Sequence, residues 1–225
     1  STHDLRMRRL DTYMSLLLDQ DVRDITKPIM QEWRVWLSEQ DISSTTKNNI
    51  LTLCKSIFRF GFQAYGLPDS AVVLRPFKKK PTEVKTMQVW TIDEFNQFIF
   101  VVDNPVYHAL FRLLFWTGMR RGEALALTRD DLLPNNQISI NKSFRRRIDG
   151  IGPTKNAASV RTITVDELTY RELEAICAHA EGPYIFGGKQ PISTQTVNQL
   201  FDRKVALAGV KRIRLHDLRH SHASI

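Results

Sequence analysis

Between Arg75 and Gln88 the sequence reads RPFKKKPTEVKTMQ, and there the hydrophobic periodicity found on either side stops. Each proline removes a backbone donor and steers its preceding residue away from the helical region, so no helix passes through this run. The chain is thereby divided into three parts: a first domain over 1–74, a basic linker over 75–88 and a second domain over 89–225. With 225 residues there is material for two small cores. The linker itself has two readings, a solvated tether or a positively charged strap lying along a phosphate backbone through Lys78, Lys79, Lys80 and Lys85.

Before the linker the pattern is helical. Leu10, Tyr13, Met14, Leu17 and Leu18 recur at the spacing of one apolar stripe. Thr26 suits the cap of a helix presenting Ile29, Trp33, Trp36 and Leu37, and Ser43 or Ser44 suits the cap of a longer one. That longer helix carries Ile50, Leu53, Cys54, Ile57, Phe58 and Phe62, and Gly66 with Pro68 marks its end. A short further turn is expected near Val72 and Leu74. Helices with one apolar stripe each must share a core, so a small bundle is predicted.

After the linker, Thr91-Ile92-Asp93-Glu94 has the form of a capping box, followed by Phe95, Phe98 and Ile99 as a buried face. A second helix runs from about Val106 to Trp116 and breaks at Gly118, and another passes through Glu123 and Leu127. The period then changes. Ile138 and Ile140 alternate with polar neighbours, and Val160, Ile163 and Val165 do so less regularly, with Asp149-Gly150 and Gly152-Pro153 between. These residues predict a small antiparallel sheet with a long turn. Helices resume around Leu168, after Ser193 and at His216. The expected fold class is mainly α with two domains, a helical bundle and an α+β domain with one small antiparallel sheet.

The 32 Lys and Arg exceed the 24 Asp and Glu for a formal charge of +8, which would attract DNA, RNA or an acidic membrane surface. Charge of that size also serves solubility alone. Cys54 and Cys177 lack metal-ligand spacing, and Cys54, inside an apolar helical pattern, reads as a reduced core thiol, as expected of an intracellular protein. No apolar run is long enough to span a bilayer, the opening Ser1-Thr2-His3-Asp4 is not a signal peptide, and there is no nucleotide-binding glycine loop. A start without Met and an end at Ser224-Ile225 inside a helical pattern lead us to expect a C-terminally incomplete fragment of a longer protein.

Four separated residues stand out as able to act on a phosphodiester. Arg120 lies at a break between two buried helices, where a surface or cap role competes with a site role; Glu123, three residues on, can reach its guanidinium. Lys155 sits in a turn-like run, either a solvated hairpin lysine or a mobile ammonium suited to proton delivery. His216 and Arg219 are three apart on one helix face of LHDLRHSHAS. Three crowded histidines also raise zinc, but no cysteine is near and no metal spacing appears, so no metal and no cofactor are expected. His220 equally suits a core position. Arg145, Arg146 and Arg147 read either as phosphate contacts or as a solvated strand edge.

The words TGMRRGEALAL, PTKNAASVRTITV and LHDLRHSHAS, in that order, resemble the first arginine box, the hairpin lysine and the His-x-x-Arg box of tyrosine recombinases, the phage integrases. SSTTKNNILTLCKSIFRFGFQAYG resembles their core-binding domain, so the likeness runs over essentially the whole chain. It implies a SAM-like core-binding bundle and a catalytic domain of the DNA breaking-rejoining type, closing as a clamp on duplex DNA. Arg120 and Arg219 would clamp the phosphate, Lys155 would protonate the departing 5′ oxygen, and His216 would transfer a proton or bind phosphate. Glu123 and His220 would support them. Arg121 has no counterpart role.

In that family a tyrosine beyond the second arginine attacks the phosphodiester and forms a 3′-phosphotyrosyl link, with neither ATP nor metal. Here Tyr13, Tyr65, Tyr107, Tyr170 and Tyr184 all precede Arg219, so this chain alone is expected not to cleave. The resemblance further implies attachment-site DNA as partner, a homotetramer at synapsis and a monomer when free, accessory directionality or DNA-bending proteins, and action in the bacterial cytoplasm for a phage or conjugative element. A type IB topoisomerase and a non-catalytic DNA-binding regulator on the same scaffold are the competing functions.

Overall fold

The computed structural model describes residues 2–79, 87–145, 150–153 and 160–225. The chain divides into two compact units, Ser1–Thr86 and Met87–Ile225. Among the described residues no helix is long and apolar enough to cross a membrane.

The first unit comprises α1 (Thr2–Tyr13), α2 (Ser15–Leu18), α3 (Lys27–Glu39), α4 (Ser44–Tyr65) and a 3-10 turn, Ser70–Val73. The expected first stripe is split between α1 and α2, which meet at Met14, and Leu18 is exposed while Met14 and Leu17 enter the core. Thr26 stands at the cap of α3 but its side chain accepts no amide, whereas Ser43 Oγ accepts from Thr46 N at 3.2 Å. Met30, Trp33 and Leu37 meet Ile50, Leu51, Cys54 and Phe58 in one core, and Trp33 Nε1 donates to the Tyr13 carbonyl at 2.8 Å. Burial pushes the Cys54 thiol up to about 12, so it stays protonated and inert, and both cysteines are free. Ile57 and Phe62, expected in the stripe of α4, are exposed: the buried face of α4 ends at Phe58, and its last two turns leave Phe60, Phe62 and Tyr65 in solvent.

The start of the linker is not a free tether. Asn48 on α4 holds the backbone of Phe77 in both directions, Nδ2 donating to its carbonyl at 2.9 Å and Oδ1 accepting from its amide at 2.7 Å. Arg34 lies 4.5 Å over the Phe77 ring and donates to the Arg75 carbonyl, and Ser44 Oγ donates to the Lys78 carbonyl at 3.2 Å. Pro76 and the lysines broke the periodicity, but side chains from α3 and α4 satisfy this irregular backbone and fix residues 75–78 to the first unit.

The second unit contains α5 (Ile92–Phe100), α6 (Pro105–Thr117), α7 (Arg121–Leu125), α8 (Glu167–His179), α9 (Thr194–Ala208) and α10 (Asp217–His222). The Thr91 capping box is formed in full: Thr91 Oγ1 accepts from Glu94 N at 3.2 Å and Glu94 Oε2 accepts from Thr91 N at 2.8 Å. Phe98 packs at 5.0–5.3 Å from the rings of Trp90, Phe111 and Phe201, joining α5, α6 and α9. The strands are β1 (Leu132–Leu133), β2 (Gln137–Ile140), β3 (Lys142–Arg145), β4 (Gly150–Pro153) and β5 (Arg161–Thr164). They form a three-stranded antiparallel sheet, β1-β2-β5, and a separate ribbon, β3-β4. Ile138 pairs with Ile163 and Ile140 with Arg161, so these four residues share one face, the one on which both isoleucines of β2 are buried.

Candidate active site at the Arg120 turn

A single glycine shapes the turn between α6 and α7. Gly118 ends α6 in the left-handed region at φ 58°, its amide donating to the Leu114 carbonyl at 3.1 Å. Its carbonyl accepts from Arg219 Nη1 on α10. The space where a Cβ would stand is taken by the His222 ring, 2.5 Å away. Glycine therefore reverses the chain, receives the second arginine and admits α10.

Arg120 follows in extended conformation as the residue capping α7. A guanidinium cannot accept the amide of residue 123, so only half of a capping box exists: Glu123 Oε2 accepts from Arg120 N at 3.0 Å. Glu123 Oε1 accepts from Arg120 Nη1 at 2.9 Å, and Oε2 also accepts from Arg161 Nη2 at 2.9 Å. The side chain of Glu123 is 3% exposed and that of Arg120 is 54% exposed. Burial pushes the Glu123 carboxyl upward, but the hydrogen bonds from Arg161 and from Arg120 outweigh it and hold the group below its ordinary value. An ionised, buried carboxylate thus anchors an arginine whose side chain remains half in solvent.

The second element is α10, packed along α6. Asp217 at its start is buried and takes Arg214 in a two-pronged contact at 2.7 and 3.0 Å, which holds its carboxyl below the usual range. Ser221 Oγ donates to the Asp217 carbonyl and accepts from Trp90 N, both at 2.9 Å, tying α10 to the start of the unit. Leu215 and Leu218 enter the core. His216 keeps an exposed edge. Partial burial lowers its pKa, and His220, whose ring stands perpendicular at 5.4 Å, adds to this together with Arg219 and Arg214, against a smaller upward pull from Asp217. The imidazole is therefore neutral at pH 7 and able to accept a proton.

The structure thus has Arg120 capping α7 and Glu123 within it, and His216 capping α10, the helix packed against α6 that carries Arg219 and His220. Lys155 lies outside the described residues, as do Lys80, Lys85, Arg146 and Arg147. Lys78 and Lys79 are exposed at the end of the first unit, and Arg145 ends β3, its backbone paired with Gly150. Among the described residues His, Cys, Asp and Glu form no cluster able to hold a metal ion. Two residues escaped the sequence reading. Arg161 was passed over, although a charged residue on the isoleucine face of β5 demands a buried partner. Gly122 was passed over too. A Cβ there would stand 2.7 Å from Ser143 Oγ and 2.8 Å from the Phe144 carbonyl oxygen, so α7 lies directly against β3.

Residues 88–225 match the Phage integrase family. The chain belongs to that family. It is 28% identical over 241 residues to the ICEBs1 integrase of Bacillus subtilis (strain 168), covering 92% of this chain and 61% of that protein. Against the putative prophage phiRv2 integrase of Mycobacterium tuberculosis (strain ATCC 25618 / H37Rv) it is 24% identical, covering 93% and 58%. This integrase-family chain hence spans about three fifths of the length of these curated relatives. In fold it is similar to the Tn1549 transposon integrase in complex with a circular intermediate DNA (TM-score 0.81, 18% identity, 99% of this chain and 79% of that one). It is also similar to a lambda integrase tetramer bound to a Holliday junction (TM-score 0.69, 16% identity, 99% and 66%). At such identities the likeness speaks to the fold, a helical region followed by a unit with a small antiparallel sheet.

Proposed function

We propose that this chain supplies the DNA-gripping and phosphate-activating parts of a site-specific recombinase of a phage or conjugative element. In this reading residues 1–74 are the core-binding domain, 75–88 the basic linker and 89–225 the catalytic domain. The observation that carries it is the joining of Arg120 and Arg219 through one turn: Glu123 holds the first guanidinium, and the carbonyl of Gly118 receives the second.

Attack on a phosphodiester increases the negative charge on its non-bridging oxygens. Two anchored guanidiniums offer charge-assisted donors there without reorganising, an effect worth roughly 3–4 kcal/mol per donor at comparable sites. A neutral His216 beside them accepts a proton, and Lys155 delivers one to the departing 5′ oxygen. The attacking tyrosine is not among the five of this chain that precede Arg219. Lys78, Lys79, Lys80, Lys85, Arg145, Arg146 and Arg147 are assigned to the phosphate backbone, where each true contact adds about one to the salt slope of binding. Attachment-site duplex DNA is the substrate, recombination proceeds in a homotetramer in the bacterial cytoplasm, and accessory bending or directionality proteins assist.

The test is covalent trapping of the whole protein on a nicked attachment site, read on a denaturing gel. Wild type should form an adduct. Arg120→Ala and Arg219→Ala should keep the wild-type circular dichroism spectrum and lose the adduct. Trapping at the wild-type rate in either variant would defeat the assignment.

A further inference from the structure

We infer that Arg161 is a positioning residue for phosphate activation, acting on Arg120 through Glu123; this rests on the recombinase reading above. Glu123 is the fixed point of the site, yet a carboxylate on a five-residue helix has rotamers of its own. Its Oε2 is held from both sides, by Arg120 N at 3.0 Å and Arg161 Nη2 at 2.9 Å, which leaves Oε1 for Arg120 Nη1 at 2.9 Å. Arg161 thus fixes the orientation of the carboxylate that meets both the amide and the guanidinium of Arg120. It also supplies a second positive charge next to the buried carboxylate, keeping Glu123 ionised where burial would favour its protonated form.

The strand makes this support rigid. Arg161 pairs with Ile140 at the start of β5, on the face shared with Ile138 and Ile163. Gly122, one residue before Glu123, abuts β3 so closely that a Cβ would meet Phe144 O at 2.8 Å. Hence α7 is docked on the ribbon through Gly122 and tied to the three-stranded sheet through Glu123. Arg120, whose side chain is half exposed, inherits its place from both.

An arginine that acts through Arg120 has a signature that mere structural damage lacks. Arg120 is proposed to answer charge on the non-bridging oxygens, so its loss should matter less on a neutral methylphosphonate, in which one such oxygen is a methyl group. The whole protein carrying Arg161→Met would be assayed for single-turnover cleavage on three substrates: ordinary phosphodiester, methylphosphonate, and a 5′-bridging phosphorothioate whose thiolate leaving group needs no proton. We expect a loss of about 10–100-fold on phosphodiester and on the bridging phosphorothioate, less than the roughly 10²–10³-fold cost of removing an anion-stabilising donor outright because Arg120 is displaced and not deleted, and less than about threefold on methylphosphonate. Arg161→Lys, which keeps the charge but not the fork, should recover part of the loss and serves in the same comparison if the Met variant does not fold. An equal loss on all three substrates would make Arg161 purely structural and overturn the inference. A loss cured only by the bridging phosphorothioate would also overturn it, placing Arg161 with the strand that follows Lys155. Absence of cleavage by wild type on every substrate would instead refute the recombinase reading itself.

Discussion

Replacing Gly118 by alanine tests the turn on which both arginines depend. At φ 58° the residue sits in the left-handed region, where an L side chain costs roughly 1–2 kcal/mol. The new Cβ would also lie 2.5 Å from His222 Cδ2 and 3.0 Å from its Cγ, so the ring or the end of α10 must move. Forcing an extra methyl into occupied space costs about 1–3 kcal/mol, and the lower end applies because His222 is exposed and its ring can swing outward. The sum is about 2–3 kcal/mol. For a unit near this size each kcal/mol lowers the melting temperature by roughly 2–4 °C, so thermal circular dichroism should show a drop of roughly 4–12 °C. A double-mutant cycle divides the effect. In a His222→Ala background the ring atoms are gone, and Gly118→Ala should cost only its backbone share, about 1–2 kcal/mol. Gly118→Ala melting like wild type would refute the left-handed turn, and an identical cost in both backgrounds would refute the close seating of α10.

The remaining expectations concern pH and the linker. Glu123, Asp166 and Asp217 have folded-state pKa values held below their ordinary ones, so the unfolded chain takes up their protons first and stability falls as pH drops through the carboxylate range. His216 is shifted the same way, its protonated form disfavoured on folding, and adds a loss that begins as pH falls below about 6.5. Urea titrations at pH 7.5, 6 and 4 should show two successive decreases, and His216→Gln should flatten the first; a flat profile from pH 7.5 to 6 in wild type would contradict the environment described for this ring. At the linker, Asn48→Ala removes both hydrogen bonds to Phe77 and should cost about 1–3 kcal/mol, with amide exchange at Phe77 rising to that of an open chain. Unchanged protection at Phe77 would mean that residues 75–78 are held by other means.

Much of the fold was legible because helices announce themselves by period and punctuation. Thr91 with Glu94, Ser43 before α4, and Gly118 after α6 are local signals, and each does locally what its chemistry suggests. The alternation of Ile138 and Ile140 found β2 for the same reason. What could not be read was what the chain does between the paired strands. The pairing of β2 with β5 follows the two alternating runs on either side of the expected long turn, but Lys142–Arg145 and Gly150–Pro153 pair with each other as a separate ribbon, and no alternation of apolar residues there announces it. Ile57 and Phe62 failed for a related reason: period locates an apolar stripe, but only the neighbouring helices decide how far along α4 it is covered.

The site divides along the same line. His216 with Arg219, and Arg120 with Glu123, were visible as pairs because three residues on a helix bring side chains to one face. Arg161 was not, since its partner lies 38 residues away on another element. Yet a trace of it was present. Among alternating residues 161, 163 and 165, two are apolar and one is an arginine, and an isolated charge on the inner face of a strand is stable only against an opposite charge. Glu123 posed the converse problem, an acid amid Ala124, Leu125, Ala126 and Leu127 on a helix too apolar to be a surface. Two misplaced charges of opposite sign in one domain, each in an apolar setting, amount to a contact prediction, and the 2.9 Å ion pair between them is where the half-exposed Arg120 finds its support.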